Sequence, residues 1–500
     1  MAIDTGLLGR PQSIQGYLLS GILAFVLLLT LSVIYNLFLH PLRRFPGPKW
    51  AAASQIPYLR AVVAGNQSHY CMKLHEQYGD VVRVSPSELS YTSVEAWKDI
   101  YGHHSIQKLL PKDPEFYSHP PNGVPSIITV PHPQHPRIRR QLSHAFSEKA
   151  LRAQQPLMTV FIDLLINRLR EKAEIGEPTD MVNWFNWITF DLVGDLSFGE
   201  SFGCLEEAKY HPWVDLIFKS STLHALLAVA KAFPGGLFFL NFLLPRGAKE
   251  ARLSHQKLVE EKVLRRLDKK TDRPDFMYHL LRNRETGDEA LTTAELTSTF
   301  FALVAAGAET TGTSLAGTIY LLLRNPDKLK ILKEEIRSTF DSDEDISMEN
   351  VAKLPYLGAV QEESLRIYPP VPIGPPRRVP QGGAMIAGQH IPSGTAVSVN
   401  QLACYRSPRH FRDADSFIPE RFLGDPRFVD DNTKILQPFS MGTRSCLGRN
   451  LATAEIRVII AKICWNFDLE LADDTNWLDQ RMFIFWQKLP LNVKLTPRPM

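Results

Sequence analysis

Between Thr292 and Pro326 the chain writes one long helix that is apolar on nearly every face, and such a segment leaves few choices of fold. Thr292 and Glu295 form a capping box at its start, and Asn325-Pro326 stops it. At ~1.5 Å per residue, residues 293–324 span roughly 45–50 Å. Phe300, Phe301, Leu303, Val304 and Leu315 are spread around its circumference, so it must run through the middle of a large domain. Its centre reads Ala306-Gly307-Ala308-Glu309-Thr310-Thr311. A glycine there costs roughly 1 kcal/mol against alanine. An acid followed by a hydroxyl in an apolar helix is also expensive, so each of these residues needs a reason. A purely local one exists: Gly307 as a helix contact, Glu309 as half of an ion pair, and Thr310 bonded back to a helix carbonyl.

Residues 51–500 show no repeat, low-complexity tract or Gly/Ser-rich linker and are expected to form one domain, mainly α with small β-sheets. Residues 81–84 and 88–91 predict an antiparallel hairpin turning at Ser85-Pro86-Ser87, and residues 491–495 alternate like a strand. Ahead of the domain, residues 17–39 are almost wholly apolar, long enough to cross a bilayer of roughly 30 Å. Arg43, Arg44 and Lys49 follow that run and only Arg10 precedes it, so residues 1–16 are expected in the lumen and the domain in the cytosol. The run also exceeds the ~7–15 residue apolar core of a cleaved signal. Residues 40–50, with Phe45-Pro46-Gly47-Pro48, read as a semi-rigid linker. Lys and Arg total 56 against 53 Asp and Glu, which gives no electrostatic footprint for nucleic acid. Cys71, Cys204, Cys404, Cys446 and Cys464 lack the spacings of zinc sites or disulfide frameworks and suit a reducing compartment.

Three further segments carry unusual chemistry. Phe439, Gly442, Arg444, Cys446 and Gly448 crowd into ten residues. Glu363 and Arg366 share a helical face at i and i+3, with Arg421 downstream in Pro419-Glu420-Arg421-Phe422. His135-Pro136-Arg137-Ile138-Arg139-Arg140 opens a basic helix with proline in its first turn. Together with the Ala306–Thr311 stretch, and in this order, these segments resemble the cytochrome P450 family over the chain from about Phe45 to its end. Many relatives carry tryptophan where His135 stands.

The resemblance implies the fold of that family and a mono-oxygenase using haem b, iron protoporphyrin IX, with Cys446 as axial thiolate. Two glycines would let the cysteine loop bend, and backbone amides would tune the sulfur. Phe439 would screen that sulfur from water. Arg444, Arg139, His135 and Arg377 would reach the haem propionates. Gly307 would leave room above the haem, and Thr310 with Glu309 would deliver protons there. Glu363, Arg366 and Arg421 would form a buried ion-pair cluster serving folding and haem retention. The implied partners are NADPH–cytochrome P450 reductase, cytochrome b5 as an auxiliary donor, membrane lipid of the endoplasmic reticulum, and a hydrophobic small molecule. Residues 127–129, 300–304, 371–373 and 482–486 are expected to line its pocket, and residues 226–244 to dip into the membrane. The linker and residues 180–185 resemble the fungal branch of isotrichodermin and averantin hydroxylases. Two rivals are a haem-thiolate isomerase or dehydratase working without dioxygen, which intact Glu309 and Thr310 disfavour, and a non-catalytic haem-binding sensor.

Overall fold

The computed structural model describes residues 14–498 apart from 106–107, 118–121, 212–224, 234, 237, 239, 241–245, 270 and 285–289. Helix α1 (Ile14–Ile34) continues through a π-helical turn to Leu39 with its apolar side chains largely exposed. The apolar span Gly16–Leu39 is 24 residues long, enough to cross a bilayer, and its most apolar stretch has no residue buried against the protein. The expected linker packs on the domain: Leu42 and Phe45 are buried, the buried Arg83 donates to the Asn36 carbonyl at 3.0 Å, and the Asn36 amide reaches the Ala53 carbonyl at 3.1 Å.

The hairpin forms as its alternation and turn predict, β1 (Val81–Ser85) antiparallel to β2 (Glu88–Tyr91) with Val81 opposite Tyr91. Next come α2 (Gln134–Ser143), α3 (Glu148–Ile175), the short strand β3 (Thr179–Asp180) and α4 (Met181–Phe198). The long central helix is α5 (Thr293–Arg324), followed by α6 (Pro355–Ile367), β4 (Arg377–Arg378), β5 (Ala396–Val399), α7 (Arg449–Asn466), β6 (Phe467–Leu471) and β7 (Asn492–Pro497). One sheet orders β1-β2-β5-β4, with β2 parallel to β5, and a second orders β3-β7-β6, all antiparallel.

Both halves of the capping box form on α5: Glu295 N–H donates to Thr292 Oγ1 at 3.2 Å, and Thr292 N–H donates to Glu295 Oε2 at 2.9 Å. With its 32 residues in helix and most of its length buried among α4, α6 and α7, α5 is the axis on which the core is assembled. Glu363 and Arg366 on α6 come together with Arg421, all three fully buried. Arg366 grips Glu363 through Nε at 2.7 Å and Nη2 at 2.8 Å and also donates to the carbonyls of Tyr405, Ala414 and Ser416. Arg421 donates from Nε to Glu363 and from Nη1 to Asp431, so each buried charge has a counter-charge.

Of residues 226–244, positions 234, 237, 239 and 241–244 lie outside the described residues. The remainder holds a helix over 225–232, tied to the N-terminal region by Gln55 Nε2 donating to the Ala232 carbonyl at 2.8 Å, with Phe233 and Phe238 exposed.

Candidate active site

A cavity of about 350 Å³ lies between α5 and the loop that leads into α7. Leu303, Ala306 and Thr310 face it from α5, and Phe439, Cys446 and Gly448 from the loop. The loop closes through Cys446 N–H donating to the Phe439 carbonyl at 2.8 Å. Its bend rests on Gly442 at φ 75° and Ser440 at φ 56°. A Cβ at Gly442 would overlap the carbonyl oxygen of Tyr101, so glycine is required there twice over. Gly448 has an ordinary φ of −87° at the N-cap of α7, so the expected pair of bend glycines reduces to one.

The sulfur of Cys446 opens onto the cavity and the side chain counts as exposed there, while protein encloses its other sides. Burial raises its pKa, and the Gly448 N–H bonded to the sulfur, Arg139 and Arg449 pull it back toward the thiolate. Phe439 stands between the cavity and the Arg449 guanidinium, which lies 5.7 Å from its ring centre.

One edge of the cavity is cationic. Arg444 donates from Nη2 to the Val130 carbonyl at 2.7 Å, and its buried Nη1 has no partner. Burial, with Arg377 nearby, lowers its pKa to about 10. Lys112 lines the same edge over the Tyr117 ring at 4.3 Å, and burial followed by Arg377 and Arg444 depresses its pKa strongly. No local pattern in the sequence marks Lys112. His135 is buried with Nδ1 unpartnered, and burial, Arg444 and Arg139 push its pKa to about 3, leaving a neutral imidazole. Arg377 stacks over Tyr101 at 5.5 Å with an unpartnered Nε and stands behind the lining residues. Arg139 also lines the cavity, and it donates to the cysteine loop, to the Ser445 carbonyl at 2.7 Å and to its hydroxyl at 3.3 Å. Among the described residues, Lys112, Arg377 and Arg444 form no ion pair, which is costly for buried cations unless an anion belongs between them. The two carboxylates of haem fit that edge, and the cavity-facing sulfur fits its iron.

On α5 the structure revises two expectations. Glu309 does not line the cavity: its Oε1 accepts from Lys488 Nζ at 2.6 Å on the far side of the helix. Thr310 does line it, with Oγ1 donating to the Ala306 carbonyl at 2.7 Å, so the two residues expected to act side by side face apart. Gly307 lines the cavity beside Thr310, and a Cβ there would also lie 3.2 Å from Val193 Cγ2 of α4. Ile127, Ile128, Leu303 and Val371 line the cavity as expected, whereas Phe300, Met482, Phe483 and Trp486 are buried elsewhere and Ile484 and Phe485 are half-buried outside the lining.

Comparison with known proteins decides the family. The family described as Cytochrome P450 matches residues 45–495. The chain belongs to the cytochrome P450 family. It is 43% identical over 472 residues to cytochrome P450 monooxygenase astJ of Aspergillus oryzae, covering 93% of this chain and 94% of that one. It is 44% identical over 473 residues to cytochrome P450 monooxygenase tpeC of Talaromyces stipitatus, covering 93% and 92%. Over 503 residues it is 43% identical to averantin hydroxylase of Dothistroma septosporum, covering 99% and 95%. This P450 is therefore a mono-oxygenase of the haem-thiolate class, which acts on a small molecule and takes electrons from a redox partner.

Proposed function

We propose that this P450 oxidises a hydrophobic secondary metabolite, using haem b ligated by Cys446 and electrons from NADPH–cytochrome P450 reductase, with cytochrome b5 as an auxiliary donor, on the cytosolic face of the endoplasmic reticulum. The observation that carries this reading is a cavity with the Cys446 sulfur on one wall, the Thr310 hydroxyl on the other, and Lys112, Arg444 and His135 at one edge. Haem bound there supplies the oxygen chemistry. Lys112 and Arg444 offer charge-assisted donors to carboxylates, and His135 a neutral one. Thr310 presents a hydroxyl to the cavity, its O–H donating to the Ala306 carbonyl. Ile127, Ile128, Leu303 and Val371 make a wall that excludes water and favours an apolar ligand. Averantin hydroxylase among the relatives supports hydroxylation, with a polyketide or terpenoid as the substrate class. Exposed α1, with Trp50, Ile56, Phe233 and Phe238, supports membrane attachment.

The test is reconstitution of the purified, lipid-embedded protein with the reductase, NADPH and isotopically labelled dioxygen. One labelled oxygen per product is expected, strictly dependent on NADPH. Product formed without NADPH, or without label, would replace this reading with the isomerase or dehydratase alternative.

A further inference from the structure

The apolar N-terminal helix does not hang from the domain on a free tether. Its π-helical last turn, Tyr35–Leu39, is closed by His40 N–H donating to the Tyr35 carbonyl at 2.8 Å. Pro41 has no N–H to continue that pattern, which leaves the Asn36 carbonyl open. Arg83 of β1 fills the gap from the domain. It is only 2% exposed and, among the described residues, has no carboxylate partner; its guanidinium donates to carbonyls instead, from Nη1 to Asn36 at 3.0 Å and from Nε and Nη2 to Pro86 at 3.1 and 2.7 Å. A helix carries about half a negative charge at its C-terminal end, so the end of the anchor stands in for the missing counter-ion. From the other side, Asn36 Nδ2 donates to the Ala53 carbonyl at 3.1 Å, at the end of the short helix Lys49–Ala53. The residues between are bonded as closely: Arg44 Nη2 donates to the His390 carbonyl at 2.6 Å, and Arg83 N–H to the Pro46 carbonyl at 2.8 Å. A Cβ at Gly47 would lie 2.6 Å from the Arg83 carbonyl oxygen, so the chain runs hard against β1 there. With Leu42 and Phe45 buried as well, no part of this segment is free to swivel.

The same frame reaches the exposed apolar surface. Gln55 Nε2 donates to the Ala232 carbonyl at 2.8 Å, so exposed Ile56 and Phe233, each next in sequence to one of these partners, ride on one support. We propose that Arg83 is a positioning residue that joins α1 and the catalytic domain into one rigid body, so that the way the anchor crosses the bilayer sets which side of the domain meets the lipid. The proposal rests on the membrane-anchored reading above, and adds to it a fixed tilt. A domain on a flexible tether would sample every tilt its linker allows. The planar guanidinium fork instead fixes the helix end against the turn of the β1–β2 hairpin, two carbonyls in one plane of donors. A substrate dissolved in lipid then meets the surface carrying Trp50, Ile56, Phe233 and Phe238 in one geometry at every encounter.

The experiment is electron paramagnetic resonance of the full-length, ferric haem-loaded protein in oriented phospholipid multilayers. In the parent, the intensities of the principal lines should change as the stack is turned in the field. Arg83→Met keeps the apolar stem and removes the clamp; it should lose that angular dependence while floating with vesicles and keeping its reduced, carbon-monoxide spectrum as the parent does. Should the methionine variant fail to fold, Asn36→Ala breaks only the contact with Ala53, outside the domain core, and the same loss of alignment is expected. N-decylimidazole, which partitions into the bilayer, should bind several-fold more weakly to the variants, while imidazole added from water should bind equally well. Alignment kept by both variants, alignment absent from a membrane-bound parent, or an equal loss of affinity for the two imidazoles would overturn the proposal. A parent that stays out of the vesicles would instead strike the membrane-anchored reading.

Discussion

Replacing Glu363 by glutamine removes one charge and almost no volume from the interior, so its cost isolates the electrostatics of the α6 cluster. In the parent the carboxylate accepts from Arg366 Nε and Nη2 at 2.7 and 2.8 Å, from Arg421 Nε at 3.2 Å, and from the Ile418 N–H at 2.8 Å. Glutamine keeps one acceptor oxygen and turns an NH2 toward guanidinium donors. Arg421 then keeps Asp431 as its counter-charge, while Arg366 is left with only the carbonyls of Tyr405, Ala414 and Ser416. Removing one partner from a buried ion-pair network costs about 3–5 kcal/mol. Loss of a single buried neutral hydrogen bond would cost only about 1–3 kcal/mol. Against a total folding stability of about 5–15 kcal/mol, the larger figure should also loosen haem. Urea unfolding followed in parallel by far-ultraviolet circular dichroism and Soret absorbance measures both. Because the three residues act as a unit, Glu363→Gln combined with Arg366→Met should cost less than the two changes summed. A Glu363→Gln protein within about 1 kcal/mol of the parent would refute the reasoning, since buried guanidinium groups would then tolerate the lost counter-charge.

Arg444→Met and Lys112→Met should each weaken haem retention by about 1–3 kcal/mol, the worth of a charge-assisted hydrogen bond, without moving the Soret band. Haem transfer to an apoglobin acceptor measures this, and unchanged transfer would remove the residue from the propionate edge. Gly442→Ala should abolish haem-thiolate absorption, because the loop cannot close against Tyr101, while Ser440→Gly at φ 56° should retain it. His75 is buried between the Gly79 carbonyl and the Ser90 hydroxyl, and burial lowers its pKa to about 4. With the folded value below the unfolded one, its contribution of about 3 kcal/mol is complete above the unfolded pKa and is lost as pH falls toward 4. His75→Gln should flatten the stability–pH curve over that window, as read by thermal melts.

What the sequence revealed of this structure was local. The capping box at Thr292 and the Asn325-Pro326 stop bracket α5 because caps act within one turn, and the β1–β2 hairpin follows from its own alternation and turn. Cys446, Phe439 and Arg444 could be found together because one short loop carries all three to the cavity. Lys112 gave no such signal: it reaches the cavity edge from an irregular segment far away in the chain. The orientation of Glu309 relative to Thr310 was not readable locally, since neighbours about 100° apart on this helix, such as Ala306 with Gly307 and Thr310 with Thr311, do line the same cavity. That Glu309 turns away depends on Lys488, which is 179 positions removed and enters only through tertiary packing. The fate of residues 482–486 has the same origin, because an apolar run suits a ligand pocket and a core equally well until Trp486 finds Tyr368.

The account depends most on sulfur from Cys446 binding iron, and the reduced, carbon-monoxide-treated protein tests this directly. The parent is expected to show the red-shifted Soret band of a thiolate-ligated haem, and Cys446→Ser is expected to lose it while Cys464→Ser keeps it. A band that persists in Cys446→Ser, or is absent from a parent that holds its haem, would contradict the account.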